Sequence, residues 1–236
     1  VCGSALDEAA RRQLADLVAR HGLPLVECDL MGELHRQAAR PRPVKAWDHD
    51  DRVLYCGSLA CITGAGLSLG WVISRRHRLQ LRVARTVHGE LLSPLTDATL
   101  ARLLASPGWH SHQRQLRRRL AAQVADWQAA AQQLLPAGSR VHSGQGGYAL
   151  WVELPAAPDL ALLMPALRAQ GYSVMPGTVF GSDAALARGL RLSARHPLDT
   201  THRRGLQVLG RALAQALVPA SEAASGAASA AASEAT

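Results

Sequence analysis

The chain has 236 residues, 48% of them hydrophobic and 19% charged. That is enough for one large domain or two small ones with real cores, and it excludes wholesale disorder. Lys and Arg number 26 against 18 acidic residues, for a net charge of +8, yet Lys45 is the only lysine. Chemistry that needs a lysine amine therefore uses Lys45 or is closed to this chain.

Four cysteines (Cys2, Cys28, Cys56 and Cys61) show neither CxxC spacing nor a paired framework, which predicts a reduced, intracellular protein. Asp7, Glu8 and Arg11-Arg12 near the start leave no apolar run for a signal peptide. The most apolar stretch, residues 59–74, is short and broken by Gly64, Gly66 and Gly70, so no membrane span is expected. Together these predict a soluble, cytoplasmic protein.

Ser4 is the expected N-cap of a helix through Arg20, with Leu6, Leu14, Leu17 and Val18 near one face and Gly22 as its stop. Residues 23–28 read as a buried parallel strand, 29–51 as a long polar connection, and 52–56 and 69–74 as further strands. Residues 76–135 read as helical, with a break at Ser106-Pro107-Gly108. After Gly138 the pattern changes to an α+β unit: strands at 148–154, 172–175 and 190–193, and helices at 159–170 and from Asp199 or Thr200 to Leu217. The expected division is 1–75, 76–135 as connecting helices, 136–218 as a small C-terminal domain, and an Ala/Ser-rich disordered tail over 219–236.

Three segments are distinctive as an ordered set. The first is Tyr55-Cys56-Gly57-Ser58-Leu59-Ala60-Cys61, continuing to Gly66-Leu67-Ser68-Leu69-Gly70-Trp71. The second is Gly146-Gly147-Tyr148-Ala149-Leu150-Trp151-Val152-Glu153-Leu154-Pro155. The third pairs Pro176-Gly177-Thr178-Val179-Phe180 with Gly189-Leu190-Arg191-Leu192-Ser193. Their order and separation resemble fold-type I pyridoxal-phosphate (PLP) aminotransferases. The resemblance is closest to the aminotransferase-like domain of MocR-type regulators of the GntR superfamily, and Val26-Glu27-Cys28-Asp29-Leu30 with Glu33-Leu34-His35-Arg36 is similar to that group's acidic strand end. It implies an α/β fold: the later part of a large domain with a mostly parallel sheet, plus a small α+β domain. The family's earlier half, with its first phosphate loop and the ring stacked on the cofactor, has no counterpart here. Nor has the DNA-binding helix-turn-helix, so this segment is expected to make no direct nucleic-acid contact.

Carried over residue by residue, the resemblance implies a dismantled cofactor site. The position of the PLP lysine is Cys61, and a thiol cannot take over the amine's role. The phosphate-binding arginine is Ser68, the aspartate facing the pyridinium nitrogen is Cys28, and the tyrosine near the phenolic oxygen is Leu30. Of the phosphate ligands Ser58 remains, and Ala60 replaces a second serine. Arg191 matches the arginine that binds the substrate or effector carboxylate. The expected protein is a catalytically inactive relative of the PLP enzymes whose covalent cofactor bond is lost. It would sense a carboxylate effector, act as a homodimer or with a missing N-terminal portion, and leave an apolar face or edge exposed. The alternative is a working aminotransferase with another cofactor anchor; Lys45 lies on what reads as a surface connection.

Other features weigh less. Arg114, Arg117, Arg118 and Arg119 form a basic cluster without interleaved aromatics, so a solvated helix face is favoured over a nucleic-acid patch. His110 and His112 lack a third metal ligand at useful spacing, and Cys56 and Cys61 read as small residues beside a strand rather than a redox pair.

Overall fold

The structure, a computed structural model, describes residues 5–36, 40–64, 67–88 and 93–217. The chain divides into two compact units: residues 4–121 with 145–147, and residues 122–144 with those from 148 onward.

The first unit opens with α1 (Glu8–His21). Asp7 caps it, its carboxylate accepting from the Ala10 N–H at 2.7 Å. Ser4, expected in that role, lies outside the described residues. Gly22 ends the helix at φ 65, and the Gly22 and Leu23 N–H groups donate to the carbonyls of Ala19 and Val18. This left-handed termination favours glycine.

Strand β1 (Leu25–Asp29) pairs in parallel with β2 (Val53–Ser58), and β2 pairs antiparallel with β3 (Gly70–Ile73). The strands expected from the sequence agree to within about two residues at each end, but β1, expected to be buried, has no fully buried residue and leaves Val26 and Cys28 exposed on one face. Along β2 burial alternates, with Val53, Tyr55 and Gly57 turned inward. Val53 joins Ala15 of α1 and Val44 in a core cluster, with Leu14, Leu25 and Trp47 packed against it. Gly57 is held to glycine by a neighbour: a Cβ there would lie 2.5 Å from the indole of Trp71. The other face of the sheet, by alternation and register, carries Val26, Cys28, Leu54, Cys56 and Val72. Val26 is 64% exposed and Val72 44%.

The short helix α2 (Ala60–Thr63) follows β2; α3 (Arg78–Val87), α4 (Pro94–Ala105) and α5 (Gly108–Leu134) follow β3. The break expected at Ser106 is present, and a second separates α3 from α4. The two-unit division falls inside α5. No helix among the described residues is long and apolar enough to cross a membrane.

In the second unit β4 (Arg140–Ser143), β5 (Ala149–Glu153), β6 (Met175–Pro176) and β7 (Gly189–Ser193) form an antiparallel sheet in the order β4-β5-β7-β6. Helices α6 (Leu160–Ala169), α7 (Ala184–Ala187) and α8 (Thr200–Ala216) complete it, with Asp159, Asp183 and Asp199 as N-caps. Its core combines Leu150, Val152 and Leu190 of the sheet with Leu163, Leu167 and Leu213 of the helices. The strand expected over 172–175 shrinks to β6, because the Tyr172 N–H donates to Leu167 O at 3.0 Å and ties the segment to the end of α6. The tail over 219–236 lies outside the described residues.

An uncovered apolar sheet face predicts self-association through it. Sedimentation at rising concentration is expected to show dimers or larger species, and Val26→Asp with Val72→Asp to return the chain to monomers. A wild-type chain that stays monomeric throughout would contradict this.

Candidate functional site

The residues singled out in the first unit cluster at the C-terminal end of β1 and β2. Ser58 ends β2, and its hydroxyl accepts from the Ala60 N–H at 3.1 Å, while the Leu59 N–H donates to Leu69 O at 2.8 Å. These bonds make the tight strand-to-helix turn that places half-buried Cys61 in α2. Ser68 is exposed on the way to β3, and Leu30, just past β1, is 46% exposed. Cys28 is exposed and sits beside Cys56 in the β1–β2 register. Burial, with the neighbouring Cys28, pushes the Cys56 thiol pKa up. The cross-strand neighbour of Cys56 is thus Cys28, a pairing that sequence spacing did not suggest.

Asp29, one residue on, faces the other way, and its carboxylate accepts from the Tyr55 hydroxyl at 2.9 Å and from Arg40. Arg40 also pairs with Glu33, which takes further hydrogen bonds from Gln113 and Arg117, both at 3.0 Å. Two carboxylates thus meet two guanidinium groups, within one unit. Burial works to lower the Arg40 pKa, but Asp29, Tyr55 and Glu33 outweigh it and raise it. The Tyr55 hydroxyl is pushed up by burial and by its bond to Asp29. One arginine of the basic cluster, Arg117, is therefore spent on this network, while Arg114, Arg118 and Arg119 are exposed.

Lys45 lies on a 3-10 turn, Val44–Trp47, half-buried rather than on an open surface connection. Its ammonium donates to Asp48 at 2.9 Å and to Asp51. Asp48 also accepts from the N–H groups of Arg52 and Val53, at 2.9 and 2.8 Å. Burial works to lower the Lys45 pKa, but the bonds to Asp51 and Asp48 raise it. Burial likewise works to raise Asp48, and the Lys45 and backbone bonds hold it down. The Asp51 carboxyl is brought to about 2, chiefly by Lys45. Lys45 marks the Val53 end of β2 and Ser58 the other, five residue steps along the strand, about 17 Å.

In the second unit Arg191 sits on β7 between Trp151 and Met175. It is half-buried and borders a cavity of about 520 Å³. Among the described residues no group of three His, Cys, Asp or Glu side chains could hold a metal ion. His112 instead approaches the Ile62 carbonyl at 3.3 Å and the Trp109 ring.

No model of a known protein family matches the chain. Among curated proteins it is 28% identical over 211 residues to the HTH-type transcriptional regulator YjiR of Escherichia coli, matching 89% of this chain and 45% of that protein. It is 22% identical over 214 residues to an aromatic-amino-acid aminotransferase of Thermococcus litoralis, matching 90% and 51%. Among solved structures the α-aminoadipate aminotransferase LysN of Thermus thermophilus superposes with a TM-score of 0.76 at 26% identity, over 89% of this chain and 55% of that one. The chain spans about half the length of the curated relatives it matches.

The Lys45 clamp has a pH signature. A depressed carboxylate contributes stability that is complete above its unfolded pKa, about 4, and is lost as pH falls through the folded value, about 2 for Asp51. The raised Lys45 contributes below the unfolded ammonium pKa and loses its contribution as pH rises through its folded one. Denaturant midpoints are therefore expected to fall between pH 4 and 2, roughly the span between those carboxylate values, and Lys45→Met to flatten that limb. The same acid slope in Lys45→Met would contradict the assignment.

Proposed function

We propose that this chain, an aminotransferase-like domain homologous to MocR-type transcriptional regulators and to PLP-dependent aminotransferases, is a non-catalytic module that binds a small carboxylate as effector. The observation that carries the reading is the state of its only lysine. Lys45 is held by two carboxylates, its pKa is raised, and it lies at the wrong end of β2. A lysine that attacks an aldehyde must be available as the free amine, which calls for a lowered pKa.

The other residues do not fit a bound PLP either. The Ser58 hydroxyl is engaged with the Ala60 N–H, and Ser68 offers one neutral hydrogen bond where the family has a bidentate cation. Cys28 brings an exposed thiol where a carboxylate would balance the pyridinium charge, and Asp29 is turned away into its pairing with Arg40 and Tyr55. PLP is the family's cofactor; in this reading its covalent attachment is lost, while Arg191 keeps the role of meeting a carboxylate. The module would work in the cytoplasm within a regulator, with DNA contact made by another part of such a protein.

Restoring the amine alone tests this. Cys61→Lys incubated with PLP, an amino acid and a keto acid is expected to give no transamination above the uncatalysed rate, because the phosphate, ring-nitrogen and phenolic contacts are still missing. Measurable turnover by that single variant would show the site to be intact and the reading wrong.

A further inference from the structure

The open face of the first unit's sheet carries two thiols side by side. Cys28 of β1 and Cys56 of β2 are partners in the parallel register, and alternation turns both to the face opposite Val53 and Tyr55. The pairing is fixed on either side of them. Glu27 stands opposite Tyr55 and Asp29 opposite Gly57, and the Asp29 carboxylate accepts from the Tyr55 hydroxyl at 2.9 Å. Neighbouring strands lie about 4.8 Å apart, inside the Cα separation of roughly 4.4–6.8 Å that a disulfide spans. Rotation of the two side chains therefore brings sulfur to sulfur with little movement of the backbone.

Their surroundings assign each thiol a role. Cys28 is exposed, on a strand that is an edge of the sheet among the described residues. Cys56 is half-buried on the central strand, between Cys28 and Val72, and burial together with Cys28 pushes its pKa up. An oxidant is attacked by a thiolate, so the exposed sulfur reacts first and the shielded one follows. Cys61 is the poorer partner for either: it lies on α2, past the turn at Ser58 and outside the strand pairing.

We propose that Cys28 and Cys56 form a reversible thiol–disulfide switch operated by hydrogen peroxide, with Cys28 as the attacking thiol and Cys56 as the resolving one. The Cys28 thiolate attacks one peroxide oxygen, the O–O bond breaks, and the departing hydroxide takes up a proton as water. The Cys56 sulfur then attacks the sulfur of the Cys28 sulfenic acid. The S–O bond breaks, and the hydroxyl leaves as water with the Cys56 proton. Two thiols and one peroxide thus give one disulfide and two waters, the sulfurs oxidised and the peroxide oxygens reduced. A dithiol reverses the step by exchange, and exposure on the Cys28 side gives the bond the lability of a regulatory disulfide. Neither the carboxylate reading of Arg191 nor the state of the cofactor site enters this inference.

The test treats the whole chain with equimolar hydrogen peroxide, blocks the remaining thiols with iodoacetamide, and maps tryptic peptides without reduction by mass spectrometry. A peptide pair joining Cys28 to Cys56 is expected, lost on treatment with dithiothreitol, together with a fall from four free thiols to two. Cys56 and Cys61 share the tryptic peptide 53–75, so Cys61→Ser is expected to keep the cross-link and fix its position. Cys56→Ser leaves the Cys28 sulfenic acid unresolved, and dimedone is expected to label Cys28 in that variant and not in the wild type. Cys28→Ser, at an exposed position, should leave the fold intact and Cys56 reduced. A bond between Cys56 and Cys61, or a covalent dimer through Cys28 on a non-reducing gel, would overturn the pairing. Four thiols surviving peroxide, or no dimedone label on Cys28 in Cys56→Ser, would overturn the switch.

Discussion

One ammonium group organises the start of the central strand. Asp48 accepts from the Lys45 ammonium and the Val53 N–H on one oxygen and from the Arg52 N–H on the other, while Asp51 also accepts from the ammonium. Val53 is fully buried, sits opposite Leu25 in the parallel register and touches the core that α1 covers. The register of β1 against β2 therefore depends on a loop closed by charge. Glu27 adds to it by accepting the N–H groups of Val44 and Lys45 at 2.8 and 3.0 Å. The bonds that close this loop also raise the Lys45 pKa.

The two ends of β2 tell different stories. At the Val53 end the Lys45 ammonium, the Asp48 carboxylate and the Arg52 and Val53 N–H groups are all joined by hydrogen bonds. At the Ser58 end the turn geometry into α2 is kept by backbone bonds, while the side chains there are a thiol, an alanine and an engaged serine. Backbone geometry needs only the glycines and apolar residues of the motif, whereas cofactor chemistry needs particular functional groups, so the first can persist when the second does not. The α/β fold is shared with the aminotransferases.

Much of the fold was legible in the chain because apolar runs and turn residues mark it locally. Strands β1, β2, β3, β5 and β7, and the Asp199-capped α8, lie within a few residues of where period and punctuation put them. Strand β4 escaped because Arg140-Val141-His142-Ser143 has a single apolar residue, and it pairs only because β5 presents an edge. The Asp29–Arg40–Glu33–Arg117 network was invisible for another reason: Glu33 and Arg117 are 84 residues apart, and no local pattern announces such a pair. The Lys45 clamp was readable in retrospect, since Asp48 and Asp51 stand three and six residues on. The cavity was hidden because a strand-like sequence over 172–175 gives no sign that Tyr172 is pulled toward α6 and α8.

The decisive question is whether Lys45, the chain's only lysine, takes up the cofactor's aldehyde. Incubation with excess PLP, reduction with borohydride, and peptide mapping by mass spectrometry measures this directly. A lysine bond to the aldehyde gives a visible absorbance band and, after reduction, an irreversible pyridoxyl label. The account predicts no band and no stoichiometric label on any peptide, because Lys45 is held protonated by Asp48 and Asp51. A stoichiometric pyridoxyl group on Lys45 would contradict it.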